Sequence, residues 1–225
     1  MRRTVWLLMV CLLIGASGLN SLVEAEEFQV TETADEIKIE SSKLEAAVRK
    51  KGYVSGVKAQ SFLDKQTGFR DAGFGLDMPG HIKHNKGDSF SEVYLSYFDK
   101  PVPSSEFLTD FAPDEKFNYT RGRNALPKRM IRGYHLRDRE TAKPGPWLVG
   151  MTLQPDVVSE AWCHQRGYIC MIEEFGSRPI KAGESFSAAF VVGYFDSLDE
   201  MHAVYDQLAG HTGLEVSETG WKLLK

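Results

Sequence analysis

The sequence predicts a mainly β fold, an antiparallel β-sandwich closed by a short C-terminal helix, and three observations predict it. Short runs rich in Val, Ile, Phe and Tyr recur along the chain between Gly, Pro and Asp clusters, the pattern of hairpin-connected strands. The densest stretch, Ser159 to Phe195, breaks at Arg166-Gly167, at Gly176-Ser177-Arg178-Pro179 and at Ala182-Gly183-Glu184. One segment, Ser197 to Gly210, carries helical spacing with a start and a stop signal.

The amino-terminal residues read as an export segment and not as part of the fold. Arg2-Arg3 supply a positive start, Val5 to Ile14 an apolar core, and Val23-Glu24-Ala25 a small-residue cleavage site before Glu26. An apolar core of that length is too short for a bilayer, which needs roughly 20 residues. The expectation is a signal peptide over 1–25 and one domain over 26–225. The mature protein is then periplasmic or extracellular, without stable membrane insertion after cleavage. A net charge of -4 with 42% hydrophobic residues describes an ordinary globular chain and gives no reason to expect nucleic acid.

Export leaves Cys163 and Cys170 in an oxidising compartment. A two-residue turn at Arg166-Gly167 sets them opposite one another, either bonded or as two packed thiols. No metal and no cofactor are predicted. The cysteines and nearby His164 lack the second close pair of a structural zinc site. His81 and His84 with Asp88 read as a polar loop between Gly80 and Gly87.

The first strands follow from alternation. Ile37 and Ile39, then Leu44, Ala46 and Val48, then Val54 to Leu63 read as a three-strand meander ending in the polar turn Asp64 to Gly68. Phe69 to Gly87 is glycine-rich and connects without a helix. Glu92 to Phe98 alternates, with Val93, Leu95 and Tyr97 on one face and Tyr94 and Phe98 on the other, so it is buried on both sides or offers a binding surface. Residues 99–128 form a long loop with Phe107, Phe111, Phe117 and Tyr119. It either seals one end of the sandwich or forms a lid whose aromatics stack on sugar rings.

Met130 to Leu136 is a strand with Arg132 and Tyr134 on one face and His135 and Arg137 on the other. Trp147, Val149, Met151 and Leu153 mark another, and Ser185 to Phe195 is the last. In the helix, Ser197 and Glu200 form a capping box, Leu198, Met201, Tyr205 and Leu208 an apolar stripe, and Gly210 the stop. His202 lies outside that stripe and is expected in solvent, with the helix across a sheet edge or end.

Arg121, Arg123, Lys128, Arg129, Arg132, Arg137 and Arg139 concentrate positive charge in an otherwise acidic chain. They form either a seat for an anionic polysaccharide or a solvated face balanced by Asp114, Glu115, Asp138 and Glu140. A Tyr or His base beside an Arg that quenches a carboxylate is the equipment of uronate elimination, and Tyr134, His135 and Arg132 supply those types.

The meander, with Glu36-Ile37-Lys38-Ile39-Glu40, Leu44 to Val48, a glycine and Ser61-Phe62-Leu63-Asp64-Lys65-Gln66-Thr67-Gly68, resembles the opening of the galactose-mutarotase-like β-sandwiches. That superfamily includes aldose epimerases and domains of polysaccharide lyases and glycoside hydrolases. Met171-Ile172-Glu173-Glu174-Phe175, Lys181-Ala182-Gly183-Glu184 and Ser185 to Val192 resemble its closing strands, with Ala182 where the family has proline. The resemblance covers both ends of the mature chain and not its middle, as in a shortened member.

It implies a carbohydrate partner and places Glu173 at the epimerase general base. The partner histidine is not aligned, so His135 and His164 both stand as candidates. The catalytic candidates are therefore Glu173, His135, His164 and Tyr134, and the substrate-binding candidates Arg132, Arg137, Arg166 and Trp162. Two functions follow: an exported carbohydrate-active enzyme, epimerase- or lyase-like, or a noncatalytic sandwich that binds glycans or another protein in the cell envelope. Convergence of Glu173, His135 and His164 in one concave pocket separates the two.

Overall fold

The computed structural model describes residues 9–10, 29–52, 56–70, 82–85, 89–98, 100–107, 115–165, 168–217 and 220–225. In chain order the strands are β1 (Met9–Val10), β2 (Gln29–Glu32), β3 (Glu36–Glu40), β4 (Leu44–Arg49), β5 (Gly56–Val57), β6 (Leu63–Asp64), β7 (Ile82–Asn85), β8 (Phe90–Leu95) and β9 (Pro101–Pro103). After helix α1 (Ser104–Phe107) come β10 (Tyr119–Thr120), β11 (Met130–Arg137), β12 (Pro144–Thr152), β13 (Val158–Gln165), β14 (Tyr168–Phe175) and β15 (Phe190–Phe195). Helix α2 (Leu198–Leu208) then leads to β16 (Gly213–Ser217) and β17 (Gly220–Leu224).

The fold is mainly β and sandwich-like, as the alternating pattern predicts. A six-stranded sheet runs β1-β15-β12-β11-β8-β9, antiparallel except for the parallel pair of β1 with β15. A four-stranded antiparallel sheet runs β10-β13-β14-β7, and the amino-terminal meander β2-β3-β4-β5 carries β6 against β4. Val93, Leu95, Tyr134, Leu148, Val192 and Tyr194 of the large sheet share one core with Cys163 and Met171 of the four-stranded sheet and with Leu44, Ala46 and Phe62 of the meander.

The other face of the large sheet is buried too. Tyr94, Ile131, Trp147, Val149 and Met151 pack against Met201, Val204, Tyr205 and Leu208 of α2. Phe90 and Tyr94 of β8 are thus buried in the two different cores, whereas Tyr97 and Phe98 lie beyond the strand, in a 3-10 turn over Ser96–Phe98, and both pack on the first core. The helix covers a sheet face and not an edge, because its apolar stripe needs a complementary apolar surface. The Ser197 half of the predicted capping box forms, with the Glu200 amide donating to Ser197 Oγ at 3.2 Å, while Glu200 Oε2 accepts from the Asp196 amide at 2.8 Å, and Gly210 follows at φ +78°.

Where the structure departs from the sequence reading, the cause is contact between distant segments. Phe107, Phe117 and Tyr119 are buried, with the Phe107 and Phe117 rings 4.9 Å apart, so this aromatic stretch is core and not a lid over a ligand. Phe111 lies outside the described residues. Ile82–Asn85 pairs with β14 as a strand where a polar loop is expected; the side chains of His81, His84 and Asp88 lie outside the described residues. The last large-sheet strand begins at Phe190 and not at Ser185, and the β16–β17 hairpin has no counterpart in the sequence reading.

The cysteine register also differs. β13 and β14 pair Gln165 with Ile169, His164 with Cys170 and Cys163 with Met171. The connection is one residue longer than a two-residue turn, and one extra residue shifts every partner by one. Cys163 is thus opposite Met171, buried and not disulfide-bonded.

Candidate functional site

The side chains singled out by sequence separate onto different surfaces. On β11, Met130, Arg132, Tyr134 and Leu136 alternate with Ile131, Gly133 and His135, and the first set is buried towards the sandwich interior. Arg132 meets Glu173 of β14 there. Its Nε lies 2.9 Å from Glu173 Oε1, and both side chains are 0% exposed. The Thr152 hydroxyl of β12 donates to Glu173 Oε2, and the Thr152 carbonyl accepts from the Tyr205 hydroxyl of α2 at 2.9 Å. Two strands of the large sheet, β11 and β12, thus reach one carboxylate of the facing sheet, and α2 is tied to the second of them through Thr152.

The electrostatics follow from burial. Loss of water raises the Glu173 carboxyl above its ordinary value, against the opposing pull of Arg132 and of the Thr152 hydroxyl. The Tyr97 hydroxyl sits beside the Cys163 thiol, and burial, followed by Cys163, raises it well above the usual phenol range against Arg132. Burial likewise pushes Tyr205 up to about 12, with the Glu173 charge adding to it. A buried charge is costly unless paired, so this cluster holds the two sheets in one relative placement.

Tyr134 shares the interior face with Arg132, fully buried, its ring tilted against Phe90 at 5.3 Å. His135 points through the other face of the same strand. It stacks on Trp147 with centroids 4.5 Å apart and planes 8° from parallel, and its Nδ1 lies 3.2 Å from Glu92 Oε2. The sheet therefore stands between His135 and Glu173. Arg137 is exposed at the end of β11. His164 is placed by its backbone opposite Cys170, its side chain lying outside the described residues together with Arg166.

The basic concentration is likewise divided among different tasks. Arg129 clamps Asp206 of α2, with Nε 2.8 Å from Oδ1. Arg121 donates to the Asp156 carbonyl at 2.8 Å and to that of Gly176. Arg132 is interior, and Arg123, Lys128, Arg137 and Arg139 are exposed.

Trp162 lies on the outward side of the four-stranded sheet. Ala161, Cys163, Met171 and Glu173 face inwards and are buried, whereas Glu160, Trp162 and Ile172 are half-buried and Glu174 is exposed. Trp162 stands opposite Ile172, and Glu160 stands opposite Glu174 on one side and Thr120 on the other. The indole Nε1 donates to Glu160 Oε2 at 2.9 Å, which fixes the ring.

Sequence reasoning did not identify Thr152, Tyr97 and Cys163 around the ion pair, or Glu160 and Glu174 beside Trp162. The available signal was the presence of Arg132 and Glu173 on faces otherwise filled by apolar residues, where opposite charges have to find each other. Arg178, five residues from Glu173 in sequence, lies over the Phe186 ring at 5.5 Å. No family model, no curated protein and no solved structure matches this chain.

Proposed function

We propose that this chain is an exported β-sandwich that binds carbohydrate without transforming it, through the outward face of the four-stranded sheet around Trp162. The observation that carries this reading is the complete enclosure of Glu173 in its pair with Arg132. A general base has to come within hydrogen-bond reach of the proton it removes, and a carboxylate sealed between two sheets does not meet a sugar from solvent. The resemblance to the mutarotase-like sandwiches then bears on architecture and ligand class, and activity does not follow from it.

The outward face has the composition of a sugar platform. A ring held in place by its own N–H offers an apolar surface for the C–H face of a pyranose, and fixed polar groups beside it select the hydroxyl pattern. Trp162, tied to Glu160, and neighbouring Glu174 and Thr120 supply both. Export rests on the leader over residues 1–25. No helix among the described residues is long and apolar enough to cross a membrane.

The test is titration of the protein beginning at Glu26 with a panel of neutral, amino and acidic oligosaccharides. Binding followed by indole fluorescence, and lost in Trp162→Ala with an unchanged melting temperature, is the expected result. Turnover of any panel member that is abolished by Glu173→Gln in a folded protein would restore the enzymatic reading and refute this one.

A further inference from the structure

We infer that the outer edge of β15 is a strand-acceptor site, filled in the mature protein by an extended, uncharged apolar strand of a partner protein running parallel to it. This rests on the export reading above and not on sugar binding. In the six-stranded sheet β15 lies between β12 and β1, so among the described residues β1 is the strand paired along its outer edge. The two run parallel, with Met9 opposite Val191 and Val10 opposite Val192. Both residues of β1 belong to the segment read as the export leader. Cleavage after Ala25 therefore takes away the strand that the fold seats there.

The edge left behind is of a kind that proteins cover. Ser185 to Phe195 contains no charge and no proline, whereas exposed edge strands are blunted by charged side chains, proline or bulges. β15 pairs with β12 in unbroken register from Phe190 to Phe195, so no bulge turns its edge aside. Its two faces are already occupied. Phe190, Val192 and Tyr194 pack in the core between the sheets, and Val191 and Phe195 share the second core with Met201 and Tyr205 of α2. An incoming chain is therefore offered backbone N–H and C=O groups along the edge, which an added strand satisfies and a helix does not. The leader shows the chemistry that fits: Val5 to Ile14 carries no charge and exceeds in length the 6 residues of β15.

The deciding experiment uses the protein beginning at Glu26 and, as probe, a fluorescently labelled peptide of residues 5–14 carrying Cys11→Ser and flanking lysines for solubility. Anisotropy titration and amide hydrogen exchange read the outcome. The expected result is saturable binding with slowed exchange in Phe190–Phe195. Methylating the peptide nitrogens of Met9 and Val10, which removes donors and keeps the apolar surface, should weaken binding roughly tenfold. Equal binding of the methylated peptide would overturn the inference, as would no binding or protection away from β15. A stable dimer of the Glu26 chain, with Phe190–Phe195 protected before peptide is added, would make a second copy the occupant and overturn the partner strand. Retention of residues 1–25 in protein from the native host, read by intact mass, would overturn the vacated edge and the export reading together. Sugar binding stands or falls separately, on the Trp162 titration.

Discussion

Replacing Arg132 by Met tests whether the interior cluster is a structural latch. Met matches much of the arginine volume but removes the guanidinium whose Nε lies 2.9 Å from Glu173 Oε1. Because both side chains are 0% exposed, no solvent replaces the lost partner. Removing one member of such a pair costs about 3–5 kcal/mol. For a chain of this size each kcal/mol is worth roughly 2–4 °C, so the melting temperature at neutral pH should fall by about 6–20 °C.

The pH dependence gives a second, independent signature. Burial already raises Glu173 above its ordinary value of 4.5, and Arg132 opposes that shift. Without Arg132 the folded-state value rises further. A group whose folded value is raised contributes stability that is fully present below its unfolded value and is lost as pH rises through the folded one. The deficit of Arg132→Met should therefore be smallest near pH 4.5 and below, and grow as pH rises towards neutrality. Adding Glu173→Gln to Arg132→Met removes both charges and should recover much of the loss at neutral pH. Urea unfolding of the two variants and the wild type from pH 4 to 8 measures all of this. A deficit that is constant across pH, or a double variant no better than Arg132→Met, would refute the latch.

Three further outcomes are expected. His202, predicted to be solvated, lies 2.9 Å from the Tyr94 hydroxyl and is held below 6.5 by burial first and by Arg129 and Lys128, against Asp199 and Asp206. A depressed histidine contributes stability above its ordinary value and loses it as pH falls, so wild type should lose stability below pH 6.5 relative to His202→Gln, and parallel melting curves would contradict this. A Cβ at Gly133 would meet Leu148 O at 2.8 Å and Val149 Cγ2 at 2.9 Å, so Gly133→Ala should cost about 1–3 kcal/mol in urea unfolding. Finally, the register that sets Cys163 opposite Met171 predicts two free thiols in the mature chain, so alkylation in denaturant without reductant should label both, and a mass two hydrogens short with no label would restore the disulfide.

Much of the fold is legible in the chain because local periodicity suffices for it. Alternation locates β3, β4, β8, β11 and β12, and Asp64 to Gly68 specifies its turn, with Gln66 N donating to Asp64 Oδ1 at 3.0 Å and Gly68 at φ +76°. Ser197, the apolar stripe and Gly210 define α2 almost residue for residue, since caps and spacing act within one turn of helix. The leader expected over residues 1–25 rests on composition alone, and the structure places Met9–Val10 of that segment as a strand beside β15.

Tertiary structure decides what pairs with what. Arg132 and Glu173 sit on alternating strands whose two faces are both apolar, so periodicity does not choose a side; the facing of two sheets brings them together and puts His135 on the opposite surface. The β13–β14 register depends on one residue in a connection where Arg166-Gly167 suggests a tighter turn. Residues 99–128 lack periodicity because their aromatics fill gaps between elements formed elsewhere, as Phe107 and Phe117 do. Strand and helix positions are set by neighbours in sequence, whereas the chemistry of Glu173 and Trp162 is set by which side of a sheet water can reach.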